Sequence, residues 1–218
     1  MKKMDSEGRR AKEMIKGLPF KERMKHFWYY YSRHVLVGTL GTVLVAWSVV
    51  QCVNKPTYDL DIAYYSSRAV DQTAVDAFAE SLDPLLKDID GNEAIDVFIP
   101  LYVGNIEAEM MDQQSQALMQ KIPLELAADD YALYILDKPF MDFFARVYPE
   151  AVDNKILLSE IPETAEMLKC YEGEELYLVT IVESERVKKD EKKMAERENA
   201  YAVEAYFEKL IEQNQTEE

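Results

Sequence analysis

The first apolar feature of the chain is an unbroken stretch at residues 35–53, VLVGTLGTVLVAWSVVQCV, which contains no Asp, Glu, Lys or Arg. As an α-helix rising ~1.5 Å per residue, this stretch would extend about 28 Å, close to the ~30 Å hydrocarbon core of a bilayer. It therefore predicts an uncleaved transmembrane helix. The alternatives are a buried core helix, which is usually shorter or amphipathic, and a signal peptide cleaved near the small residues Ala46 and Ser48.

Small residues recur every four positions inside this stretch, at Gly38, Thr42 and Ala46. Such a stripe permits two helices to approach closely within a membrane. It provides one alternative for the function, a structural or assembly protein that forms a homodimer through this helix.

After a short linker at residues 54–57, the pattern alternates between strands and helices up to residue 218. It predicts strands at residues 58–65, 95–102, 131–136 and 175–182, and helices near residues 71–87, 107–128, 138–147 and 188–213. Pro100 indicates that the second strand lies at an edge or contains a bulge. Residues 148–174 are predicted to be irregular, with one short helix near residues 163–168. The alternation favours a single layered α/β domain with a mainly parallel sheet.

Charge differs sharply between the two sides of residues 35–53. Residues 1–34 carry ten Lys or Arg and four Asp or Glu, a net charge of +6, whereas the rest of the chain carries 15 bases and 37 acids, a net charge of −22. Because basic flanks remain on the cytoplasmic side, we predict a single-pass plasma-membrane protein with a cytoplasmic leader and an acidic domain outside. An aromatic belt suited to the membrane interface precedes the helix: Phe27, Trp28, Tyr29, Tyr30 and Tyr31.

The composition of the acidic domain narrows its chemistry. His26 and His34 both precede the apolar stretch, so His-dependent triads and His-ligated zinc sites are excluded from residues 58–218. The acidic charge argues against a nucleic-acid partner. Residues 88–92 (DIDGN) resemble the start of a calcium loop, but Glu93 and Ile99 occupy the places of its glycine and its glutamate. We therefore predict a glycine-terminated turn there, with no metal and no cofactor.

A family resemblance follows from the residues around the first three predicted strands. Ser66 and Ser67 end the first strand, a helix with Phe78 follows it, and DDYALYILD at residues 129–137 surrounds the third strand. This passage resembles the opening half-lobe of bacterial extracellular solute-binding proteins, the type 2 periplasmic binding fold, and implies the strand order 2-1-3. It covers residues 58–149. The chain is also similar to single-pass clostridial proteins that share the KHFWYYY flank at residues 25–31.

The resemblance implies a ligand site beyond the carboxyl ends of the strands, where the strand order reverses. The residues at this rim are Ser66, Ser67, Arg68, Gly104, Asn105, Asp137 and Lys138. Arg68 is suited to a two-point contact with a ligand carboxylate. The predicted function is a non-catalytic, membrane-anchored extracytoplasmic module that binds a small ligand or a protein partner. A surface hydrolase that uses paired carboxylates, such as Asp59 and Asp61, is the second alternative.

Overall fold

The computed structural model describes residues 19–53, 58–107 and 111–217. The chain divides into two compact units, Met1–Pro56 and Thr57–Glu218. The first unit contains helix α1 (Phe20–Val53), which begins directly after Pro19. The hydroxyls of Thr42 and Ser48 each donate to the carbonyl four residues earlier, at 2.9 Å, so both are satisfied within the helix.

The prediction of a transmembrane helix at residues 35–53 is wrong. Within the described ranges, no helix has the length and apolar character needed to cross a membrane. The apolar part of α1 with described side chains, residues 35–48, is interrupted by Gly38, Thr39, Gly41 and Thr42. The single-pass topology and the plasma-membrane localisation are therefore corrected as well, whereas the bilayer as a partner stays a prediction.

The residues assigned to membrane roles lie on α1. Trp28, Tyr29 and Tyr31 have exposed side chains, whereas the side chains of Phe27 and Tyr30, and the linker at residues 54–57, lie outside the described part of the chain. Gly38, Thr42 and Ala46 are exposed on the same helix. Both the interface role and the packing stripe were predicted from a membrane span, which the structure does not support.

The second unit contains six strands and five helices within its described residues. The strands are β1 (Leu60–Ser66), β2 (Val97–Phe98), β3 (Leu101–Val103), β4 (Leu133–Asp137), β5 (Val152–Leu157) and β6 (Leu176–Ile181). The helices are α2 (Gln72–Leu82), α3 (Gln113–Ala128), α4 (Lys138–Val147), α5 (Pro162–Met167) and α6 (Glu191–Glu217). Short 3-10 turns occupy Asp83–Leu85, Leu158–Glu160 and Val187–Lys189.

The six strands form one sheet in the order β2-β1-β4-β6-β5, and β3 also pairs with β1. Strand β1 runs parallel to β2, β3 and β4. Strand β6 runs antiparallel to both β4 and β5. The α/β class is therefore confirmed, but the prediction of a mainly parallel sheet is wrong because the sheet is mixed. The antiparallel part includes β5, whose sequence VDNKIL is too polar to have been recognised as a strand.

Strands β2 and β3 lie one after the other along the same side of β1, at one edge of the sheet. Ile99 and Pro100 separate them, and the carbonyl of Pro100 accepts a hydrogen bond from the Tyr64 amide at 3.0 Å. Proline has no N–H to donate, so an edge position is where a strand tolerates it. This confirms the prediction that Pro100 marks a sheet edge.

Two apolar layers cover the sheet. Leu60, Ile62 and Tyr64 of β1 face the layer that includes Phe78 of α2 and Phe207 of α6, whose rings stack at 6.0 Å. Alternate residues of β1, such as Ala63 and Tyr65, face the layer formed with α3 and α4. Strand β1 is therefore buried on both faces, as expected for a central strand with helices on either side.

Candidate functional site

The carboxyl ends of β1, β3 and β4 bring four of the predicted rim residues together. Because these strands are parallel, their ends meet at one edge of the sheet. The amide of Gly104, just after β3, donates to the carbonyl of Ser66 at 2.9 Å. The carboxylate of Asp137 accepts from the Ser67 amide and the Ser67 hydroxyl, both at 2.5 Å, and from the Ser66 hydroxyl at 3.5 Å.

Asp137 is also the N-cap of α4. Its second carboxylate oxygen accepts from the Phe140 amide at 3.2 Å, and Pro139 lies in the first turn of the helix, where its missing N–H has no cost. The side chain is buried, and both of its oxygens are occupied by donors from β1 and α4. Asp137 therefore joins two elements of the fold and has little capacity left for a ligand.

Arg68 makes the expected two-point contact, but with a residue of its own chain. Its Nε and Nη2 donate to the two carboxylate oxygens of Glu174 at 2.6 and 2.5 Å. The Tyr171 amide also donates to Glu174, at 3.1 Å, and the guanidinium lies over the Tyr171 ring at 5.0 Å. Hydrogen bonding to Glu174 raises the pKa of Arg68 above its usual value. The cation that would hold a ligand carboxylate is thus already paired.

The remaining two rim residues also pair locally. Lys138 lies 3.1 Å from Glu175 and 3.5 Å from Asp142, and hydrogen bonds from Tyr177 and Lys138 lower the pKa of Glu175. Asn105 is exposed, and its side-chain oxygen accepts the Glu107 amide at 3.1 Å in a local turn. Lys138, Asn105 and Arg68 therefore each contact different partners, and they do not form one shared polar site.

Gly104 is required because α3 passes close to it. A Cβ at this position would lie 2.7 Å from Leu118 Cδ1 and 3.3 Å from the backbone Cα of Ser115. We expect Gly104→Ala to lower the free energy of unfolding by roughly 1–2 kcal/mol, because the leucine must move and the helix cannot easily follow. Urea unfolding followed by circular dichroism measures this. An unchanged midpoint would show that α3 is free to shift.

A second polar cluster lies between the sheet and α3. Tyr65 donates to Glu125, which is buried, and Lys121 pairs with the same carboxylate at 2.8 Å while lying over the Tyr102 ring at 3.5 Å. Tyr102 and Tyr131 share a hydrogen bond of 3.0 Å. The buried carboxylate therefore has both a hydroxyl and a cation as partners, which is the condition for burying a charge without large cost. This arrangement is structural.

The acidic loop after α2 brings two carboxylates close to that of Asp59, which directly precedes β1. Oxygens of Asp59, Asp88 and Asp90 lie within 4.8 Å of one another. However, Asp59 accepts from the amides of Ile89 and Asp96 at 2.6 and 2.8 Å, and Asp88 accepts from two further backbone amides of the same loop. These carboxylates shape the loop, and Gly91 supplies the positive φ of 75° that its turn requires.

Sequence reasoning missed a pair of acids at the amino end of the sheet. Asp61 of β1 and Glu196 of α6 are half-buried, and Asp61 Oδ1 and Glu196 Oε1 have no hydrogen-bond partner in the described part of the chain. Burial first, and then the charge of Asp61, raise the pKa of Glu196 to about 7. Burial is also the main cause that raises the pKa of Asp61 to about 6. No local pattern in the sequence links these two positions.

Two bases near Glu196 are committed to backbone carbonyls, whereas the charge of Lys192 acts on Asp61. Arg197 donates to Ala132 and Ile181 at 3.1 and 2.6 Å, and Lys193 donates to two carbonyls at the end of α3. The cavity beside Glu196 has a volume of about 10 Å³, which is room for one water at most. Two acids with raised pKa values are typical of carboxylate catalysis, but the cavity beside Glu196 has no room for a substrate.

The free edge of β5 lies beside an open groove. Strand β5 ends the sheet and, among the described residues, pairs with β6 alone. The Lys155 amide donates to the side chain of its own neighbour, Asn154, at 2.8 Å. A groove of about 380 Å³ follows this edge, lined by Met141 and Ala145 of α4, Pro149, and residues 152–155. An unpaired strand beside a groove is a typical binding surface for an extended peptide.

Comparisons of the chain with protein-family models, with curated proteins and with solved structures each find no match. The resemblance to solute-binding proteins therefore stays a prediction.

Proposed function

We propose that residues 58–218 form a non-catalytic module that binds a protein partner by adding an extended segment of that partner to the free edge of β5. The observation that carries this proposal is the combination of an unpaired strand edge with a groove beside it. In this mode of recognition, main-chain hydrogen bonds supply affinity, and pockets for alternate side chains supply specificity.

The hydrogen bonding of β5 supports the proposal. The Lys155 amide is taken up by the Asn154 side chain instead of a neighbouring strand. An incoming strand can replace this weak local acceptor with a backbone carbonyl. Charged residues on an edge strand also prevent uncontrolled edge-to-edge pairing, and Asp153 and Lys155 are both exposed. The edge is therefore protected against aggregation but remains available to a specific partner.

The state of the predicted rim favours a protein partner over a small ligand. Arg68, Asp137 and Lys138 each have partners within the chain. Two grooves of this domain lie elsewhere, beside β5 and near the end of α6. A small-molecule site usually needs a concave pocket with converging polar groups, whereas the charged side chains of the rim pair within the chain.

Proline at position 155 tests the proposal. A random peptide library displayed on phage would be selected against the full chain, and the Kd of the selected peptides measured by calorimetry. Lys155→Pro removes the outward N–H while edge positions tolerate proline, so we expect at least a ~10-fold weaker Kd, equivalent to about 1.4 kcal/mol. Lys155→Ala keeps the N–H and is the matched control, with a Kd within about two-fold of the unmodified chain.

A second measurement covers the case in which Lys155→Pro fails to fold. Amide hydrogen exchange of the unmodified chain should slow at residues 153–157 when a selected peptide is added, because those amides become part of a ladder. If the peptides bind equally well to the proline variant, or protect another surface instead, the proposal is wrong.

A further inference from the structure

The two sides of the β5 edge differ in chemistry, and we infer that the segment bound there carries Lys or Arg at alternate positions with small apolar residues between them. The inference rests on the proposed function and specifies its partner. It follows from the geometry of strands, because successive side chains of an added strand point to opposite faces of the sheet.

On the side of α6, three carboxylates accept hydrogen bonds from neutral groups, and Lys188 lies within electrostatic reach of one of them, Glu183. Glu204 accepts from the side-chain Nδ2 of Asn154 and from the Thr180 hydroxyl, both at 2.6 Å. Glu208 accepts from the same Nδ2 of Asn154 at 2.7 Å. Glu183, at the end of β6, accepts from the Tyr201 hydroxyl at 2.7 Å. We call Glu183, Glu204 and Glu208 the acidic strip.

No Lys or Arg in the described ranges forms an ion pair with the acidic strip. Glu204 and Glu208 are also four residues apart on one helix, where like charges destabilise the helix. A cationic side chain from a partner would offset both effects. Charge complementarity therefore selects Lys or Arg for the positions of the added strand that face α6.

On the side of α4, the groove is lined by apolar residues together with Asp153 and Lys155, which are exposed. Met141 is buried at the floor of the groove, whereas Ala145 is exposed on its wall, and Pro149 and Val152 complete it. Small apolar side chains such as those of Ala and Val fit a surface of this kind. The positions of the added strand that face α4 should therefore be small and apolar, and they alternate with the cationic positions.

Two synthetic peptides of the same composition test the inference. One alternates, Lys-Val-Lys-Ala-Lys-Val-Lys, and the other is blocked, Lys-Lys-Lys-Lys-Val-Ala-Val. We expect the alternating peptide to bind the full chain about 10-fold more tightly at low salt. Glu208→Gln should weaken its binding up to about 5-fold, as expected for one exposed ion pair. Glu172→Gln makes the same charge change in the turn before β6 and should leave the Kd unchanged.

The outcomes separate the inference from the proposed function. Equal affinity for both peptides that is still lost in Lys155→Pro would overturn the inference and leave strand addition intact. Equal affinity that falls alike in Glu208→Gln and Glu172→Gln, with no effect of Lys155→Pro, would indicate general charge attraction and overturn both. A preference for the alternating peptide that needs Glu208 but not Glu172 supports the inference.

Discussion

Asp137→Ala is expected to lower the free energy of unfolding by about 3 kcal/mol. The substitution removes the N-cap of α4, typically worth ~1 kcal/mol. It also leaves the buried Phe140 amide and the Ser67 amide without their acceptor, and hydrogen bonds to a charged group contribute about 1.5–3 kcal/mol. Urea denaturation of the full chain, followed by far-UV circular dichroism, measures the change.

Asp137→Asn is the matched control for this variant. Asparagine is as good an N-cap as aspartate, and it retains one oxygen acceptor, so the loss should be about half as large. If Asp137→Ala were tolerated within ~0.5 kcal/mol, the carboxylate would not be holding β1 to α4. It would then be free for a ligand, as the resemblance to solute-binding proteins implied.

The elements with strong local signals were predicted correctly. Asp71 caps α2 through a hydrogen bond to the Thr73 amide, and α4 begins at Lys138 as the sequence Asp-Lys-Pro indicated. The four apolar strands are present, and the first three lie in the order 2-1-3 across the sheet. Apolar runs and caps depend on neighbouring residues, which is why a single sequence is enough to recognise them.

Local sequence patterns did not predict the number of strands or whether neighbouring strands run parallel or antiparallel. Strand β5 carries Asp153, Asn154 and Lys155 in succession and lies at an edge, where one side needs no partner. An exposed edge strand has no need of an apolar run. Without β5, the antiparallel half of the sheet could not be anticipated, and the alternation of elements favoured parallel pairing.

The candidate site illustrates why residue types alone were insufficient. The carboxyl ends of the strands were located, and Ser66, Gly104 and Asp137 do meet there. Their partners, however, come from distant positions: Arg68 pairs with Glu174, 106 residues away. Whether a base is available to a ligand depends on such a partner, and no local pattern reveals it. The sequence could therefore locate the rim but could not show that it is closed.

The acid pair at the amino end of the sheet provides the second large effect, a stability that falls as the pH rises. The pKa of Glu196 is raised from 4.5 to about 7 in the folded chain, mainly by burial and then by Asp61. Below pH ~4.5 the carboxyl group of Glu196 is protonated in both the folded and the unfolded chain, so its burial incurs no electrostatic cost there. Between pH ~4.5 and ~7 the unfolded chain loses its proton first, and stability falls by about 3 kcal/mol.

Glu196→Gln should remove the part of this dependence that comes from Glu196. The variant cannot ionise at position 196, whereas the raised pKa of Asp61, which comes mainly from its own burial, is common to both chains. At pH 8 we expect Glu196→Gln to be more stable than the unmodified chain by about 2–3 kcal/mol, with the two chains converging near pH 4.5. Urea denaturation at intervals of half a pH unit gives both profiles.

The comparison between the two chains isolates the pair from other carboxylates. Asp71, whose pKa is lowered to about 2 mainly by Lys169, loses its contribution in strong acid, but it does so equally in both chains. Glu198→Gln is a control, because Glu198 is an exposed carboxylate two residues further along α6 that pairs with Lys87 at 3.2 Å. It should leave the dependence of stability on pH unaltered. Parallel profiles for the unmodified chain and Glu196→Gln would show that water reaches the pair, and that α6 does not seal the amino end of the sheet.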